Sequence, residues 1–168
     1  IDPKGGVFFT DPFYPRPWWD YKTPQQDLKA VYYVPKGKNI AQRVAVDFEQ
    51  PNGIVGSPDG KLLYVADIGA NKTYRFRIAK KGQLTDRTLF CTQGSDGMTL
   101  DNQGNLYLTH KEGVLVYNAN GERILTIPTG ENWTANVCVG GKDHQTLFIT
   151  ASKGLYALEM NVKGVNQP

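Results

Sequence analysis

The feature that most limits what this chain can fold into is an internal repeat. From Asn52 the sequence reads NGIVGSPDGKLLYVAD, from Asp96 DGMTLDNQGNLYLTH, and from Asn136 NVCVGGKDHQTLFITA. Ser57-Pro58-Asp59-Gly60 aligns with Asp101-Asn102-Gln103-Gly104 and with Gly141-Lys142-Asp143-His144. LLYVAD, LYLTH and LFITA then fall together, one residue shorter in the middle copy. The opening IDPKGGVFFTD is a fourth copy entered late, with Ile1 matching Leu100. The anchor positions Asn52, Asp96 and Asn136 are 44 and 40 residues apart. A period of about 40–45 residues carrying only strand signals predicts an all-β fold, a β-propeller of four-stranded blades.

The strands of the clearest blade are GIVGS, KLLYVAD, KTYRFRIA and RTLFCTQ, with Asp-Gly, Ala-Asn and Lys-Gly turns between them. No stretch has convincing helical periodicity. The first strand of each repeat is rich in small residues (Gly53, Gly56, Gly97, Gly140), as expected of innermost strands crowded around an axis. Counted this way, residues 1–168 form a single propeller domain of about three and a half blades. The opening blade has three strands, its innermost falling before Ile1; two full blades follow, and then a final three-stranded one. Such a piece would present open sheet edges. The expectation is the C-terminal part of a longer chain, needing the missing N-terminal blades or a second copy to close the ring and inactive in isolation.

Composition excludes several classes. The net charge of +3 is spread along the chain, and the densest basic stretch, Arg75 to Gly82, reads as a solvated strand end, so nucleic acid is not an expected partner. No apolar run reaches the roughly 18 residues a membrane span needs, and no signal peptide is visible. The compartment is left open between cytoplasm and an exported location. Cys91 and Cys138 lie in apolar strand-like runs and are expected to be buried free thiols.

The repeat also suggests a site. The three anchors begin innermost strands, and in a radial array those starts converge at one mouth of the central channel. Asn52, Asp96 and Asn136 would turn their oxygens toward a common spot. The second strand of each blade returns to the same mouth, which brings Asp11, Asp67 and His110 nearby. Oxygen ligands of this kind suit one hard divalent cation, calcium first, with magnesium or manganese as alternatives. Zinc is a weaker alternative, because its sites draw on more His and Cys than this chain has. A plain turn role is the competing explanation for each Asn or Asp before Gly, since these side chains bond nearby backbone groups. For Asp67 and Asp11 a strand-terminating cap is the competing reading.

The stretches FFTDP, PNGIVGSPDGKLLYVADIGANKTYRF, SDGMTLDNQGNLYLTH and NVCVGGKDHQTLFITASKGLYALEM together resemble the gluconolactonase, senescence marker protein (regucalcin) and luciferin-regenerating enzyme family, in order and across essentially the whole chain. The resemblance implies a six-bladed propeller with one divalent cation at the channel mouth. It implies that Asn52 of the PNG motif is a metal ligand, and that Asp96 of the DGM motif is a metal ligand and the favoured general base. Two further elements of the family pattern, an N-terminal glutamate ligand and an Asn-Asp pair, would fall upstream of Ile1. The activity implied is hydrolysis of a sugar lactone, a small-molecule substrate.

Between Asp11 and the strand at VYYV lies a long loop, PFYPRPWWDYKTPQQDLKA, Pro12 to Ala30. Loops of this length are often functional. It carries Phe13, Tyr14, Arg16, Trp18, Trp19 and Tyr21, and Pro15, Pro17 and Pro24 would stiffen it. It reads as a wall or lid stacking on a substrate ring, against the plainer reading of aromatics packed on the neighbouring blade. Trp133, just before Asn136, is expected to face the same pocket.

The mechanism this predicts is metal-assisted lactone hydrolysis, with Asp96 taking a proton from the attacking water and His110 as the alternative base. A serine mechanism is disfavoured because no Gly-x-Ser-x-Gly elbow is present. Two rivals stand beside it: a non-enzymatic calcium-binding or protein-interaction propeller, and a related propeller hydrolase acting on phosphotriesters or aryl esters.

Overall fold

The computed structural model describes residues 1–165. Its strands form four separate antiparallel sheets, each meandering in chain order. The first sheet holds β1 (Val7–Asp11), β2 (Ala30–Val34) and β3 (Gln42–Ala45). The second holds β4 (Pro51–Gly56), β5 (Leu62–Asp67), β6 (Lys72–Ile78) and β7 (Leu84–Cys91). The third holds β8 (Met98–Leu100), β9 (Leu106–His110), β10 (Gly113–Tyr117) and β11 (Arg123–Ile127). The fourth holds β12 (Thr134–Gly140), β13 (Thr146–Ala151) and β14 (Leu155–Glu159). This is the predicted series of propeller blades with three, four, four and three strands, and the sheets do not close on themselves. Among the described residues the only helix is one 3₁₀ turn at Lys80–Gly82, and no helix is long and apolar enough to cross a membrane.

Strand alternation explains how the blades stack. Successive side chains point to opposite faces, so an inner blade must be apolar on both. On β5, Leu63 and Val65 join Val31 of β2 between the first two blades, while Tyr64 and Ala66 face the third. On β9, Leu106 and Leu108 pack toward the second blade and Tyr107 toward the fourth. β10 repeats the pattern, with Leu115 and Tyr117 on one side and Val114 and Val116 on the other. The core is therefore three inter-blade layers.

The aligned turns share one geometry. Gly5, Gly60, Gly104 and His144 occupy the same repeat position and all have positive φ, at 81°, 67°, 81° and 52°. Each donates its amide back three residues, Gly60 to Ser57 O at 2.9 Å and His144 to Gly141 O at 3.2 Å among them. Glycine adopts this left-handed conformation without the Cβ penalty that His144 bears.

One expectation is corrected. Cys91 is buried, but Cys138 is exposed. Along β12 it alternates with Val137, which takes the position packed on the third blade, so Cys138 points to the face that no further blade covers. Beyond β14 the chain turns back across the turns of the third and fourth blades. The amide of Asn102 donates to Lys163 O at 2.7 Å and that of Gly164 to His144 O at 2.8 Å.

Candidate active site

The anchor columns meet because glycine lets neighbouring innermost strands touch. The amide of Gly53 donates to Ser95 O at 3.1 Å. A Cβ on Gly53 would meet Met98 Sδ at 2.9 Å and the carbonyl oxygens of Ser95 and Asp96 at 3.1 Å each. Gly97 lies in the same way against Asn136. Asn52, Asp96 and Asn136 thus stand side by side on β4, the approach to β8, and β12.

Their side chains behave differently. Asp96 is half-buried and lines a cavity of about 190 Å³ with Gly94, Thr109, His110, Lys111 and Trp133. Ser95 below it is fixed by its hydroxyl, which donates to Gly97 O at 2.7 Å, and the amide of Gly97 donates to Thr109 Oγ1 at 2.9 Å. Asn52 gives its Nδ2 to the hydroxyl of Tyr14 at 2.7 Å. Among the described residues no protein donor reaches the Asp96 carboxylate or Asn52 Oδ1. Asn136 is turned away from the expected common spot, since its Oδ1 accepts the amide of Val137 at 2.8 Å. That local bond replaces the convergence expected of its oxygen.

The strand-end residues also divide. His110 ends β9 and reaches the Asp96 cavity with Trp133, as expected for both. The amide of Glu112 donates to His110 Nδ1 at 3.3 Å, so in the neutral ring the proton sits on Nε2. Burial pulls the imidazole below its ordinary value, only partly offset by the charge of Glu112. Asp67 is 1% exposed. Its carboxylate accepts the amides of Gln50 at 2.7 Å, Glu49 at 2.9 Å and Ala70 at 3.3 Å, which is the capping role weighed against substrate contact. Asp11 closes β1 opposite Ala30 and borders the loop rather than the Asp96 cavity.

The long loop is a built structure. Lys22 Nζ donates to the carbonyls of Arg16, Pro17 and Trp19 at 2.9, 3.1 and 2.5 Å. Trp19 stacks on Tyr21 with ring centroids 4.9 Å apart, and Phe13 tilts against Trp19 at 6.4 Å. Trp18 is 75% exposed and Arg16 also faces solvent. Of the loop residues singled out, Tyr14 is the one in contact with an anchor. Its link to Asn52 had no signal in the repeat, because the loop interrupts it.

Two oxygens free of protein donors, one of them a carboxylate, suit a hard cation in kind. They are fewer than the six to eight oxygens calcium takes. Among the described residues no group of three or more His, Cys, Asp or Glu could hold a metal ion.

Comparison with known proteins matches residues 1–153 to a family model described as the SMP-30/gluconolactonase/LRE-like region. A gluconolactonase of Zymomonas mobilis is 28% identical over 180 residues, covering 96% of this chain and 49% of the relative. A gluconolactonase structure from Xanthomonas campestris superposes with a TM-score of 0.84 at 29% identity, over 95% of this chain and 55% of that one. A calcium-binding regucalcin from Agrobacterium tumefaciens, 24% identical, shares the fold with a TM-score of 0.73, over 83% of this chain and 55% of that one. The chain spans about half the length of the curated relatives it matches, 49% and 44% for two of them.

Proposed function

The chain belongs to the SMP-30/gluconolactonase/LRE-like family, and on that premise we propose that the protein of which these residues form the site hydrolyses a lactone, with sugar lactones the first substrates to test. The observation that carries the reading is the Asp96 carboxylate, half-buried beside His110 and Trp133 with no protein donor spending its charge. Lactone-cleaving relatives, among them gluconolactonase and lactonase, support the reaction class.

Asn52 Oδ1 and Asp96 are the residues of this chain that would hold a divalent cation, calcium first, its remaining ligands coming from outside the described residues. Such an ion supplies polarisation of the ester carbonyl and charge stabilisation for the oxyanion. Asp96 is the base: it takes a proton from water as the water oxygen adds to the carbonyl carbon. The ring C–O bond then breaks and the departing alkoxide takes a proton, giving the open hydroxy acid. A carboxylate near a cation is a weakened base, but a water acidified by the same cation is easier to deprotonate. His110 ranks behind Asp96, because its Nδ1 lone pair is engaged by Glu112 and Nε2 carries the proton. His110 is better fitted to donate to a substrate oxygen. Trp133 and the face of the loop around Tyr14 supply apolar surface for a sugar ring.

A panel of sugar lactones, aryl esters and phosphotriesters assayed on the intact protein tests this. Selective turnover of lactones supports it, preference for either other class moves the assignment to the rival hydrolases, and turnover of none leaves a binding propeller.

A further inference from the structure

The segment Thr10–Tyr14 is zipped to the start of β4 by three side-chain bonds. Thr10 Oγ1 donates to Asn52 O at 2.8 Å, Gln50 Nε2 donates to Phe13 O at 3.1 Å, and Asn52 Nδ2 donates to the Tyr14 hydroxyl at 2.7 Å. The first two fix the backbone of the loop stem against the strand. The third acts on the one group whose orientation has chemical consequences. A carboxamide can present either end to a site, and only the carbonyl end attracts a cation or accepts a hydrogen bond. With Nδ2 committed to Tyr14, Oδ1 is the end left for the site. With the amide reversed, an N–H dipole would oppose any cation beside Asp96.

We propose that Tyr14 is a positioning residue: its hydroxyl, accepting from Asn52 Nδ2, sets the amide of Asn52 so that Oδ1 is presented beside Asp96. This deepens the cation and lactonase reading above and rests on it for its functional consequence, but the orientation itself is independent of that reading. Outer groups that orient metal ligands typically contribute 10–100-fold in affinity or activity. The tyrosine is suited to the task. Burial, before any other influence, raises its pKa, so the hydroxyl stays intact at neutral pH. The effect of the Asp96 charge on it places the phenol within electrostatic reach of both anchors. The same loop carries the aromatic wall, so substrate-facing surface and amide orientation are built as one unit.

The test uses the intact protein and Tyr14→Phe, which deletes one oxygen and keeps the ring. The first readout is the side-chain amide of Asn52 by ¹⁵N-resolved NMR, assigned with Asn52→Asp. One of its protons should be protected from exchange in the parent and lose protection in Tyr14→Phe. The second is affinity for Ca²⁺ by calorimetry, expected to fall about 10–100-fold. The third repeats Tyr14→Phe in an Asn52→Asp background. A carboxylate has two equivalent oxygens and needs no choice of end, so there the loss should shrink to about twofold or less. An unprotected amide proton in the parent overturns the proposal. So does an unchanged Ca²⁺ affinity in Tyr14→Phe, or an equal loss in both backgrounds. If all three behave as expected while no lactone is turned over, the positioning role stands and the lactonase reading fails. If the parent binds no Ca²⁺, the cation reading and the positioning consequence drawn from it fall together.

Discussion

Gly53 and Ser95 join two innermost strands by one backbone hydrogen bond, Gly53 N to Ser95 O at 3.1 Å, made where the strands carry Asn52 and Asp96. The approach leaves no room for a side chain, since a Cβ would meet Met98 Sδ at 2.9 Å and the carbonyls of Ser95 and Asp96 at 3.1 Å. The thioether can move aside but the carbonyls cannot. Gly53→Ala should therefore cost about 1–3 kcal/mol by overpacking. It should also weaken Ca²⁺ binding by spreading the anchors. Denaturant unfolding and calorimetry on the same variant check both, and unchanged Ca²⁺ affinity would show that the spacing of the strand starts is not what matters.

His144 fills the turn position that glycine holds in the three other copies, at φ 52°. The left-handed region costs an L-residue roughly 1–2 kcal/mol, part of which glycine returns as unfolded-state entropy. His144→Gly should stabilise the fold by about 0.5–1 kcal/mol without touching the site, which lies at the other end of the strands. A fall in the unfolding midpoint would contradict the strain argument.

How far the sequence could carry these conclusions depended on whether a property repeats. Blade number, strand count and turn geometry were legible because each recurs, so Gly5, Gly60, Gly104 and His144 could be aligned before their dihedrals were known. The neighbourhood of Asn52, Asp96 and His110 followed from the same period. What failed to follow was local or interrupting. Asn136 shares the anchor column, yet a bond to the next amide captures its oxygen, and repeat position says nothing about rotamer. Asp67 matches a site position, but backbone amides of Glu49, Gln50 and Ala70 converge on it. Cys138 follows the alternation of β12 to an uncovered face. Tyr14 lies in an insertion with no counterpart in the other copies.

His110 has a definite pH signature. Its folded pKa lies below the ordinary value of 6.5, burial being the main cause. A depressed value means the unfolded chain binds the proton more readily. Its contribution to stability is then full above about 6.5 and lost as pH falls through the folded value. The ring protons should titrate below 6.5 by NMR, and the acid-side decline in stability should be shallower in His110→Gln. A titration at or above 6.5 would remove the burial argument.

Asp96→Asn preserves shape and removes charge and basicity. Loss of a general base typically costs about 10²–10⁴ in rate, so kcat for lactone should fall by at least a hundredfold with the fold intact. His110→Gln should fall less. The reverse order of losses would transfer the base to His110.

The central claim, that a cation held in part by Asn52 and Asp96 serves lactone hydrolysis, is tested most directly by one titration. Turnover of a sugar lactone by the intact protein is followed as a chelator is added and calcium is then restored, beside Asp96→Asn. The account predicts turnover that collapses with the chelator, returns with calcium in the parent, and does not return in the variant. Undiminished turnover in excess chelator, or full calcium rescue of Asp96→Asn, would contradict it.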